Sequence, residues 1–336
     1  MHEYYDHDDF GNSTEKELIA TGCSFRLSST TYDTKGRFPL TKTNPLGWTE
    51  SYEYDHRTGQ VVKATDVNGL DTRMEYDGFG RSRLTEYPDG INLLESVKWY
   101  TGGTISNVWY YTEAQTTGSP PVKAWYDRVG RELKTQSTAF NGTYVYTLNE
   151  YDSKGRKYRI YEPYATSTGL YTQFAYDNLG RNHETTLPTG VKLVTDYSLI
   201  GSNKISTYKE HNYTTWDDVS RTMNAYGEPV SIVDEGGEIT YDYYSTGLPK
   251  SITSNSSTIE MEYDMHGNRT SIDDPDAGEI TTVYNSFDEL ISQTDARGKT
   301  YTMEYDLLGR ITSRTGAETT TWTYSATAGK LGNSVR

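Results

Sequence analysis

The chain has 336 residues, enough for two ordinary domains or one long repeat array. Leu, Ile, Val and Phe make up only about a sixth of it, a disorder-like share, but 31 Tyr exclude that reading, because large rings with polar tips belong on half-wet strands. The net charge of -15 argues against a general nucleic-acid binder, the lone Cys23 excludes an intrachain disulfide or a multi-Cys zinc site, and no apolar run reaches membrane-span length.

The N-terminus, Met1 to Asp6, lacks the basic and apolar regions of a signal peptide. Residues 1–31 read as a partial or degenerate repeat in which Tyr5-Asp6 opens a poorly formed unit. Asp6, Asp8 and Glu17 have the spacing of a calcium loop at several positions. Phe10 occupies a ligand position, however, and neither flank is helical in pattern, so an acidic turn is expected and no metal site.

Residues 32–336 read as a tandem array of about fourteen hairpin units. Six segments match Tyr-Asp-x-x-Gly-Arg in full. They are Tyr32-Asp33 with Gly36-Arg37, Tyr76-Asp77 with Gly80-Arg81, and Tyr126-Asp127 with Gly130-Arg131. The other three are Tyr151-Asp152 with Gly155-Arg156, Tyr176-Asp177 with Gly180-Arg181, and Tyr305-Asp306 with Gly309-Arg310. Near matches begin at Tyr54 and Tyr263, and degenerate copies at Tyr100, Tyr197, Met223, Tyr243, Tyr284 and Tyr324.

Large residues alternate ahead of the motif, as in Met74-x-Tyr76, Phe174-x-Tyr176 and Met303-x-Tyr305, which is strand periodicity. The Asp side chain can bond to the backbone two residues on, and Gly supplies a positive φ, so the motif predicts a type I turn followed by a bulge. A second turn follows about ten residues later, as at Asp66–Gly69, Pro88–Gly90 and Asp295–Gly298. The fold class expected is all-β: tandem antiparallel β-hairpins of about 28 strands in all, forming one extended sheet. For the motif Arg two readings stand: an exposed residue pairing weakly with a nearby carboxylate, or a rung shared between successive motif Asp residues.

The segment from Asn68 through Tyr76-Asp77-Gly78-Phe79-Gly80-Arg81 to Tyr87-Pro88-Asp89-Gly90 resembles the consensus of the RHS/YD-repeat family, and the resemblance spans essentially all of 32–330. Members include bacterial polymorphic toxins, insecticidal toxin-complex subunits, cell-wall-associated proteins and animal teneurins. The resemblance implies a spiralling sheet that builds a hollow shell, enclosing a toxic C-terminal domain in bacterial members and serving adhesion in teneurins. It also implies a secreted or cell-surface location, and as partners an enclosed polypeptide or the remaining shell of a larger parent protein. No terminal core segment of the kind that precedes the toxin is recognisable, so a piece of shell is expected.

No His-Glu-x-x-His, Gly-x-Ser-x-Gly or phosphate-binding glycine loop occurs, and the six His are scattered. No enzyme, catalytic residue or cofactor is expected. The alternative is a glycan-binding or adhesion module using exposed aromatic residues, with Trp99, Trp109, Tyr110 and Tyr111 around the degenerate repeat at Gly102-Gly103 as candidate sugar contacts. An enzyme acting on extracellular polysaccharide is the least supported reading.

Overall fold

The computed structural model describes residues 1–103, 106–200, 203–212, 215–324 and 334–335, with 199–218 and 334–335 described by backbone alone. Among the described residues there is no helix; 29 strands form one hydrogen-bonded sheet, and a two-stranded ribbon joins Thr323–Tyr324 to Ser334–Val335. Every pairing with a defined register is antiparallel and links strands adjacent in the chain, as the hairpin spacing predicts.

The register explains the motif. In strand Asp71–Tyr76 against Ser82–Glu86, Glu75 faces Leu84 but Tyr76 faces Ser82, so a bulge falls at the Tyr. The same slip occurs at Tyr32, Tyr54, Tyr126, Tyr151, Tyr176, Tyr243, Tyr263, Tyr284 and Tyr305. One extra residue in the turn forces a left-handed conformation at the Gly, and Gly80 has φ 80°. Asp288, standing where Gly belongs, has φ 62°, a region Asp tolerates better than most residues.

The N-terminal hairpin corrects one expectation. Strands His2–His7 and Ser13–Ile19 pair with a bulge at His7, and the turn runs through Asp8, Phe10 and Gly11. The repeat is therefore His7-Asp8-x-x-Gly11-Asn12, with His in the Tyr position. Tyr5 and Asp6 lie within the strand and pair with Lys16 and Glu15.

The chain divides into two compact units: unit 1 is Met1–Asn92 with Ile259–Arg336, and unit 2 is Leu93–Thr258. The core is thin. Among the described residues, the buried apolar side chains of unit 1 are Ala20, Met261 and Met303, and the buried residues of unit 2 are the polar Asp127 and Asn149. Met261 and Met303 each lie two residues before a motif Tyr, so Met and Tyr share the covered face. With so few buried apolar side chains, cohesion within each unit comes largely from contacts between neighbouring hairpins.

Candidate functional site: the repeated turn

Five of the six full motifs build the same turn. Asp77 Oδ1 accepts the backbone N–H of Phe79 at 2.8 Å and of Arg81 at 3.0 Å, while Oδ2 accepts Arg81 Nε at 2.7 Å. Asp127, Asp152, Asp177 and Asp306 repeat this set with their own Arg131, Arg156, Arg181 and Arg310. Asp33 caps Arg37 and Phe38 and pairs with the Arg37 guanidinium at 3.0 Å. The glycines Gly36, Gly130, Gly155, Gly180 and Gly309 all have φ between 64° and 84°.

The Arg is not shared between successive Asp residues. It pairs with the Asp of its own turn and reaches forward to a ring of the next unit. Arg131 lies 4.7 Å from the Tyr151 ring, Arg156 4.2 Å from Tyr176, Arg181 4.1 Å from Tyr197 and Arg310 4.1 Å from Tyr324. Arg37 and Arg81 instead cover Phe38 and Phe79 nearby. Where a preceding aromatic is available, rings stack: Tyr54 on Phe38 at 4.9 Å and Tyr126 on Tyr110 at 5.0 Å.

The Tyr hydroxyl completes the link. Tyr151 donates to the carbonyl of Glu132 at 2.9 Å, and Glu132 is the residue after Arg131. The same bond, to the residue just past the preceding turn, runs from Tyr32 to Ser13, Tyr76 to Val61, Tyr176 to Lys157 and Tyr197 to Asn182. It recurs from Tyr243 to Pro229, Tyr305 to Leu290 and Tyr324 to Ile311. Burial pushes the phenols of Tyr151, Tyr176 and Tyr305 up, which favours the protonated donor. Tyr is therefore required for two reasons: its ring receives the guanidinium, and its hydroxyl reaches the previous hairpin.

Degenerate turns preserve complementarity with other chemistry. Asn224 Nδ2 donates to Glu228 at 2.6 Å, and Asn285 Nδ2 to Glu289 at 2.7 Å. In Asp8–Asn12 and Asp264–Asn268 an Asn amide donates to the Asp at 3.0 Å. Donor and acceptor change places, but the pair persists. The bonds of Asp8 are those of a turn cap, and no cluster of metal-ligating side chains occurs among the described residues.

The carboxylates give the turns a pH dependence. The Arg57 side chain, with its backbone N–H, pulls Asp55 down to about 2, and the Arg81 guanidinium holds Asp77 below its usual range. Asp152 is lowered first by the Arg156 backbone N–H. An unfolded Asp, titrating near 3.8, binds more protons in this interval than the folded one, so stability falls on acidification. The urea midpoint should hold between about pH 7 and 5 and decline from about pH 4 towards pH 2. A midpoint that rose across that window would contradict the assignment.

In unit 1, residues remote in sequence come into contact. Arg26 Nη2 meets Glu289 Oε1 at 2.5 Å, and the guanidinium lies 4.1 Å over the Phe287 ring. Ser286 Oγ donates to the Thr21 carbonyl at 3.1 Å, and Arg310 approaches Trp48 at 5.1 Å. The motif-turn edge of residues 285–310 thus meets the opposite edge, at 21–48. No local pattern marks Arg26; the one available signal was the Asn-x-x-Asp-Glu variant of the turn at 285–289.

The aromatic cluster in unit 2 divides between two faces. Trp99 pairs across the strands with Tyr110, whereas Tyr111 pairs with Lys98 and so points the opposite way. The four candidate sugar contacts therefore do not form one strip. Trp99 and Trp109 do meet edge to face at 6.2 Å, 71% and 53% exposed. Tyr110 is taken up by Tyr126, and Tyr111 packs near Trp125, Lys98 and Lys123. Beside Trp109 is a cavity of about 800 Å³ that includes Asp127, Arg131 and Asn149. Its polar groups already serve the turns: Asp127 caps its own turn, and Asn149 Nδ2 donates to Glu132. Trp48 receives Arg310, and the side chain of Trp216 lies outside the described residues.

Comparison with known proteins agrees with this architecture. The RHS Repeat family model matches residues 32–69 and 284–321. No curated protein sequence matches the chain. Among solved structures, TcdB2-TccC3 without its hypervariable C-terminal region superposes with a TM-score of 0.76 at 14% identity, covering 96% of this chain and 23% of that one. The Tc holotoxin pore of Photorhabdus luminescens superposes with a TM-score of 0.74 at 16% identity, covering 97% and 19%. Two segments of the chain thus match the RHS repeat, its fold is that of part of the TcdB2-TccC3 structures, and it spans less than a quarter of their length.

Proposed function

We propose that this chain is a non-catalytic structural segment of the β-shell of a larger secreted or surface protein, suited to enclosing a toxin or another polypeptide. The observation that carries the reading is the recurring link from a repeat Tyr to the previous turn, made by eight tyrosines between Tyr32 and Tyr324. The recurring residues are spent on joining hairpins; catalysis would instead need them converging on one substrate. Likeness to the fold of the TcdB2-TccC3 structures supports the shell role. Limited proteolysis of the whole parent protein tests enclosure. An enclosed segment should resist protease until the shell is unfolded by denaturant, and digestion at the rate of the isolated segment would refute enclosure.

A second reading, glycan binding, is favoured by one observation: the exposed Trp99–Trp109 pair beside its cavity. Apolar sugar faces stack on such rings. Trp109→Ala should abolish binding found by glycan-array screening while leaving the urea midpoint within about 0.5 kcal/mol in stability. Absence of binding to any polysaccharide would end this reading.

A further inference from the structure

In unit 1 the turn Asn285–Glu289 holds an arginine supplied by another part of the chain. Its construction has three parts. The amide of Asn285 fixes Glu289 through Oε2, at 2.7 Å, and so leaves Oε1 available for Arg26. Phe287, two residues after the Asn, provides the ring beneath the guanidinium. Gly309, in the next turn, leaves room for the carboxylate, since a Cβ there would lie 3.0 Å from Glu289 Oε1.

All three parts recur in unit 2, in the turn Asn224–Glu228. Asn224 Nδ2 donates to Glu228 Oε2 at 2.6 Å, and Asn224 Oδ1 accepts the N–H groups of Tyr226 and Glu228, both at 3.0 Å. Tyr226 stands where Phe287 stands. A Cβ at Gly247 would lie 2.8 Å from Glu228 Oε1, as Gly309 relates to Glu289. The difference is occupancy. Phe287 is half-buried beneath Arg26, whereas Tyr226 is 91% exposed, and no described basic side chain lies over it. A cavity of about 600 Å³ opens alongside, with Tyr241, Asp242 and Tyr243 among its lining residues.

We propose that the turn Asn224–Glu228 is a receptor for an arginine side chain presented by a partner protein. A flat guanidinium can lie on the Tyr226 ring while donating to Glu228 Oε1, as Arg26 does on Phe287 and Glu289; a compact ammonium cannot do both equally well. Asp242 adds negative charge at the same cavity, and the chain's net charge of -15 favours approach of a basic partner. The inference is independent of the shell reading, since this turn could recruit a partner whether or not the sheet encloses a polypeptide.

The test is a titration of the full chain with arginine amide, using lysine amide as the control, read at the backbone amide resonances of Tyr226 and Gly227. A saturable shift is expected with arginine amide, at least about fivefold weaker with lysine amide. Glu228→Gln should weaken it by roughly tenfold. Tyr226→Ser should also weaken it, and resonances elsewhere in the sheet report whether either variant keeps the fold. No saturable shift, an equal response to lysine amide, or an undiminished response in folded Glu228→Gln would overturn the proposal.

Discussion

Tyr151→Ala is expected to destabilise the chain by about 2–3 kcal/mol, and Tyr151→Phe by about 1 kcal/mol. The larger substitution removes a half-buried ring, the surface on which Arg131 lies at 4.7 Å, and the hydroxyl that bonds Glu132 at 2.9 Å. The smaller one removes only the bond and leaves the Glu132 carbonyl to find another donor. In a repeat array the loss falls on one interface, so exchange protection should drop first around 132–151 while the flanking hairpins hold. The measurement is a urea titration paired with hydrogen exchange. Equal stability of wild type and Tyr151→Phe, with less than about 0.5 kcal/mol lost in Tyr151→Ala, would show that the Tyr is merely a strand former.

Arg26→Ala should cost about 3 kcal/mol in unit 1. Both partners are largely covered, with side chains of Arg26 and Glu289 exposed 17% and 12%, so this is more than a surface pair. Removing the Arg leaves Glu289 with Asn285 as its remaining side-chain donor and uncovers Phe287. Arg26→Lys should recover part of the loss, because it restores charge but not the flat stack on Phe287. Exchange protection near Thr21 and Ser286 should fall together, since Ser286 Oγ bonds the Thr21 carbonyl. Loss at one site without the other would contradict a direct contact between these edges.

The parts of this architecture legible in the sequence were those fixed by local geometry. A turn with one extra residue needs a left-handed position, and Gly36, Gly80 and Gly309 announce it; Asp288 was readable for the same reason. Alternation before Tyr76 and Tyr305 marked the covered face, and the register agrees. The N-terminal copy was misplaced onto Tyr5-Asp6 because His7 stands for Tyr, although Asp8, Gly11 and Asn12 keep the turn. What local pattern does not contain is the offset between neighbouring hairpins. That offset decides whether Arg156 meets an Asp or a ring of the next unit, and it puts Tyr176 within 4.2 Å. The Arg26–Glu289 pair, separated by 263 positions, is further still from any local signal. By contrast, the division of Tyr110 from Tyr111 follows from strand alternation alone, which places adjacent residues on opposite faces.

The central claim is that the Arg and Tyr of the motif join one hairpin to the next. A double-mutant cycle on Arg156→Ala and Tyr176→Leu tests it most directly, because these residues belong to successive units and their contact is 4.2 Å. The expected coupling is about 1 kcal/mol in favour of the native pair, lost when either partner is replaced. Strictly additive losses would contradict the account, since Arg156 would then serve only the turn it shares with Asp152.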